Sequence, residues 1–137
     1  MPSDNLVSVV KPTITQIKNF EDVLSKLPQK EAVVNHYFPD GIYAREIHMK
    51  AGMVVVGKIH KESHLNIISK GKLIVSTDKG IEELNAPYTF ISPRGTKRVL
   101  RVIEDVVWTT IHLNPSNTED LDKLEDLIIT PYNQLKT

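Results

Sequence analysis

The 137-residue sequence predicts a single domain of mainly β structure, a sandwich or barrel with one helix before it and one after it. Three observations predict this. Short runs rich in valine, isoleucine, threonine and aromatic residues recur through the middle of the chain, turn signals built on glycine and proline separate them, and helical periodicity is confined to the two ends. The length suits one hydrophobic core and falls short of two.

The first element is a helix over about 13–27: Ile14, Ile17, Phe20 (or Val23 and Leu24) and Leu27 fall at helical spacing, Thr13 and Gln16 form a capping box, and Pro28 ends the pattern. His36, in AVVNHYFPDG, reads as a loop or surface residue. The strands expected next are Ile42–Met49, Met53–Ile59, Leu65–Ile68, Lys72–Thr77, Tyr88–Ile91 and Val106–Leu113, with Val99–Ile103 as a further one, in a barrel spanning about 36–113. Lys50-Ala51-Gly52, Ser69-Lys70-Gly71, Asp78-Lys79-Gly80 and Ser92-Pro93-Arg94-Gly95 supply the turns. DKGIEEL, 78–84, reads as a hairpin edge or solvated face. A second helix over about 117–129 begins with Ser116 and Glu119 as caps, carries the stripe Leu121, Leu124, Leu127 and Ile128, and stops at Pro131.

Composition narrows the function. Seventeen basic and seventeen acidic residues cancel and are mixed along the chain, which disfavours nucleic acid and acidic membrane surfaces as partners. With no cysteine there is no disulfide, thiolate metal site or cysteine nucleophile. The first residues lack signal-peptide character and no apolar run approaches the ~20 residues of a membrane span, so a soluble, cytoplasmic protein is expected. A Gly-x-Ser-x-Gly elbow, a phosphate-cradling glycine loop and zinc-finger spacing are all missing from the sequence.

The segment with the most chemistry is GKIHKESHLNIISKG, 57–71. On an uninterrupted strand Lys58, His60, Glu62 and His64 share a face, and two neutral imidazoles are the start of a site for Zn, Fe, Mn, Ni or Cu. A third ligand must then come from another strand, the candidates being Glu46 and His48 on the preceding one and His112 on the last. Histidines on strands are also often solvated, and Lys58 and Arg98 are of types that usually sit at the surface. Tyr43, Tyr88, Phe90 and Trp108 read as core and wall residues, with Trp108 and His112 on one strand face by parity.

Gly57-x-x-His60-x-x-x-His64, the Ser69-Lys70-Gly71 turn and Ile91-Ser92-Pro93-Arg94-Gly95 resemble the cupin superfamily over about 43–113. Tyr-Ala-Arg-Glu at 43–46, Gly-Lys-Ile-His-Lys at 57–61 and Ser-Pro-x-Gly-Thr-Lys-Arg at 92–98 are similar, more narrowly, to small phage-encoded cupin-like proteins. The resemblance implies a double-stranded β-helix, a jelly-roll barrel holding a metal or small ligand. Anchored on Gly71, it places Lys58, His60 and His64, and through Pro93 and Gly95 it places Arg98, where the superfamily carries its four ligands, and arginine does not release its proton to bind a metal.

Two site readings follow from this resemblance. In one, His60 and His64 hold a divalent metal (Zn, Fe, Mn or Ni) with help from His48 or His112, as in dioxygenase, isomerase or lyase chemistry, and Glu46 and Trp108 contact a small-molecule ligand. In the other, a metal-free cationic pocket uses Lys58 and Arg98 to hold a small anion. A third reading is a non-catalytic structural or accessory phage protein. The resemblance also implies a homodimer, and the apolar run 6–10 offers a strand either for a neighbouring copy or to close its own sheet.

Overall fold

In a computed structural model of the protein, which describes residues 15–16, 32–77 and 80–130, seven strands are followed by one helix. They are β1 Val33–Tyr37, β2 Ile42–Met49, β3 Val54–Val56, β4 His64–Thr77, β5 Gly80–Asn85, β6 Tyr88–Ser92, β7 Val99–Leu113 and α1 Leu121–Ile128. The helix expected over 13–27 and the run 6–10 lie outside the described residues, apart from Thr15 and Gln16, which are helical.

Every pairing is antiparallel, in the order β1-β2-β7-β4-β5, with β3 also on β7 and β6 also on β4. Two long strands organise this arrangement. β4 pairs with β6 through His64–Ile68 and with β5 through Lys72–Thr77, while β7 pairs with β3 through Val99–Arg101 and with β2 through Val106–Leu113. Both strands change partner at about the same level, so the sheet curls and encloses a cavity between its walls.

The bend has a local cause. The β4–β7 register slips three times between Ile68 and Leu73, and Gly71 there adopts φ 94°. A Cβ at Gly71 would lie 2.1 Å from the Asp105 carbonyl oxygen, so only glycine fits. The bulge also switches parity: buried positions on β4 are His64, Asn66 and Ile68 before it, and Leu73 and Val75 after it. A single strand therefore replaces the two expected at Leu65–Ile68 and Lys72–Thr77, and Val99–Ile103 likewise joins Val106–Leu113 in β7.

Other boundaries shift modestly. β3 is shorter than the expected Met53–Ile59 and His36 lies on β1 instead of in a loop, while β5, Gly80–Asn85, is an edge strand in a hairpin with β4, in line with the hairpin edge expected over 78–84. The core joins Met49, Met53, Ile68, Leu73, Val75, Leu84, Leu100, Val102, Val106 and Trp108. On β7 its members are all even-numbered, as a strand with one buried face requires.

α1 starts later than expected, because Asp120 is the N-cap and accepts from the Asp122 and Lys123 amides in place of the Ser116 and Glu119 pair. Leu124 is its buried residue. Past the helix the chain runs extended: Lys61 N–H donates to Ile128 O at 2.7 Å and Thr130 N–H to Ile59 O at 2.8 Å. This clasp pairs His60 with Ile129.

Candidate metal centre

Three histidines reach one point from three parts of the chain. His64 opens β4, His112 stands near the end of β7 opposite Tyr43, and His60 lies between β3 and β4, held by the clasp to Ile129 and by Gly95 N–H donating to its carbonyl at 3.1 Å. One ring nitrogen from each falls within 4.8 Å of the other two. Ring centroids are 4.0 Å apart for His60 and His64, 4.9 Å for His64 and His112, and 5.1 Å for His60 and His112.

Burial sets the charge of this cluster. It pushes the His60 imidazole down to about 3, with the neighbouring His64, His112 and Arg98 adding to the effect. Burial likewise brings His112 down to about 4, helped by His64 and Arg45, and lowers His64, where a contact to the Glu62 carbonyl partly opposes it. At neutral pH all three rings are uncharged and each has a lone pair. His64 Nδ1 lies 3.4 Å from Glu62 O, a weak contact that favours the proton on Nδ1 and leaves Nε2 as donor atom.

The cluster sits in the wall of a cavity of about 350 Å³. Beneath His64, the fully buried Asn66 donates to Ser92 Oγ at 2.8 Å and accepts from Trp108 Nε1 at 3.0 Å, which satisfies the polar atoms of that wall and fixes Trp108. Beside His112, Tyr43 is buried and its hydroxyl is 2.7 Å from His36 Nδ1. Burial raises the Tyr43 phenol, so it keeps its proton. Arg98 lies 5.5 Å from the centre of the Phe90 ring, and Gly57 N–H holds its backbone carbonyl at 2.9 Å.

The expected site residues divide into two groups. His60, His64, His112, Arg98, Trp108 and Lys58 all line the cavity. Lys58, however, is bound to Glu125 of α1 at the rim, so its ammonium is already engaged. Glu46 and His48 are not brought there: they occupy the other face of β2, where His48 Nε2 bonds Glu46 at 2.8 Å and Asn35 donates to Glu46 at 3.1 Å. Strand parity explains the separation, since Tyr43, Arg45, Ile47 and Met49 take the inward side. Arg45, which the sequence reading passed over, thus enters the cavity; its alternation with Tyr43 and Met49 was the available signal.

No protein-family model matches the sequence, and no curated protein is similar to it in sequence. Solved structures are similar in shape. The Cnp3 cupin domain of Schizosaccharomyces pombe matches with a TM-score of 0.54 and 20% identity, over 82% of this chain and 78% of its own. A cupin superfamily protein from Desulfitobacterium hafniense gives 0.53 and 12% over 64% and 82%, and a cupin domain from Bordetella pertussis 0.50 and 15% over 64% and 98%. At such identities the likeness concerns the fold alone. The chain has a mainly β cupin fold, with a three-histidine cluster spaced as metal ligands are.

Proposed function

We propose that the protein is a metal-binding cupin that holds one divalent transition-metal ion on His60, His64 and His112 and takes a small molecule into the adjoining cavity. The observation that carries this reading is the convergence of one ring nitrogen from each histidine within 4.8 Å. The donor set fits such an ion: three uncharged imidazoles suit Zn, Fe or Ni, whereas calcium, magnesium and manganese favour oxygen ligands that the cluster lacks. When bound, the metal would supply Lewis acidity to a ligand in the cavity, since three protein ligands leave coordination positions open.

The chain's own residues prepare the cavity. Asn66 and Trp108 form a hydrogen-bonded wall; Tyr43, with His36 at 2.7 Å, keeps its phenol proton beside His112; α1 covers one side through Leu121, Leu124 and Ile128. A volume of about 350 Å³ lies near the lower end of the range of roughly 300–1,000 Å³ typical of small-molecule sites.

Elemental analysis of protein purified without a histidine tag tests the reading. The expected result is close to one transition metal per chain, lost in His60→Ala, His64→Ala and His112→Ala. Trace metal that stays the same in all three variants would overturn it.

A further inference from the structure

The cavity has an unusual balance of charge. Arg45 and Arg98 both line it, Lys58 is at its rim, and the one carboxylate among the described lining residues, Glu125, is taken by Lys58. Among the described residues no carboxylate lies within 4.0 Å of either guanidinium. Glu82 acts on Arg98 by charge alone, from outside the cavity lining. The two arginines also flank the histidines: the Arg98 charge acts on His60 and His64, and the Arg45 charge on His112.

A divalent ion on three neutral imidazoles gains no negative ligand from the described cluster and faces two cations across a partly desolvated space. An anionic ligand in the cavity would offset that charge more than water does. Resting on the metal reading above, we infer that Arg45 and Arg98 hold a small carboxylate in the cavity lined by the three histidines, and that this carboxylate and a metal on the histidines would bind as a coupled pair. A planar carboxylate matches the guanidinium fork and serves equally as a metal ligand. Ile47, Met49, Val55, Leu100 and Trp108 make part of the wall apolar, so the ligand carries an apolar body on its acid group. Arg98 is held on that side by its guanidinium carbon lying 5.5 Å from the centre of the Phe90 ring.

Coupling of this kind is reciprocal and therefore measurable from both sides. Metal-stripped protein is titrated with Zn²⁺ by calorimetry, alone and with millimolar benzoate, benzamide or inorganic phosphate. Benzoate should tighten Zn²⁺ binding about tenfold or more, and Zn²⁺ should tighten benzoate binding by the same factor. Benzamide, of the same shape without the charge, should do neither.

Arg45→Gln and Arg98→Gln should each bind Zn²⁺ alone more tightly, because a nearby positive charge is gone, and should lose most of the benzoate enhancement. A merely structural role for these arginines predicts weaker Zn²⁺ binding instead, and would overturn the assignment. Zn²⁺ binding that is indifferent to benzoate overturns the coupling and leaves the metal centre standing. Equal enhancement by phosphate overturns the carboxylate class. Absence of Zn²⁺ binding under every condition overturns the metal reading itself. The three-ligand comparison needs no variant, so the inference stays exposed to refutation even if a substitution prevents folding.

Discussion

His60 shows how burial turns an ordinary side chain into a metal-ligand candidate. Its proton affinity falls to about 3 and that of His112 to about 4, against about 6.5 for histidine in an unfolded chain. Between those values the unfolded chain binds more protons than the folded one, so stability is fully present above about pH 6.5 and is lost as pH falls toward 4 and then 3. Urea denaturation of metal-free protein should give a lower midpoint at pH 5 than at pH 7.5, and His60→Gln with His112→Gln should flatten that difference. An unchanged slope in the double variant would show that other groups carry it. Much of this site was legible: the Gly57-to-Gly71 segment placed His60 and His64 together, and parity joined His112 to Trp108. His48 was not separable from His112 in the same way, because both faces of β2 mix polar and apolar residues and only the cross-strand partners decide which side faces in.

Among the elements, β4 and β7 were the least readable. Ser69-Lys70-Gly71 carries turn chemistry, and a bulge uses the same residues as a turn, so one continuous strand looked like two. β1 escaped for another reason: VVNHY alternates between exposed and half-buried positions and offers little apolar contrast. β2, by contrast, has the bounds that its residues suggest, Ile42–Met49. The bulge makes a sharp prediction. Gly71→Ala places a methyl group against the Asp105 carbonyl at a positive φ, and thermal denaturation should show a loss of at least about 2 kcal/mol. A variant as stable as the parent would mean that β7 yields at Asp105.

At the scale of the whole molecule, the proposed metal joins segments that are far apart in sequence, His60 and His64 on one side and His112 on the other. Ligation therefore favours the folded chain by mass action. Zn²⁺ at a hundred times its dissociation constant should stabilise the protein by about 2.7 kcal/mol, seen as a rise in Tm that a chelator reverses. A Tm independent of Zn²⁺ would argue against a site made by the fold. α1 contributes at this scale too, since the clasp of Ile129 on His60 lets the end of the described chain set the position of a ligand candidate.

The placement of β7 has a consequence for how the molecule comes to be folded. β2, β3 and β4 all find a neighbour in Val99–Leu113, a strand that follows them in sequence. Until that stretch has been synthesised, β2 lacks its inner neighbour and Tyr43 and Met49 lack the surface that buries them. Assembly must therefore await a late segment and close long loops at once, the regime of slow, millisecond-to-second folding. Trp108, lying on that strand and packed into the core, makes the event visible: its fluorescence should change in a single phase as the walls of the cavity meet.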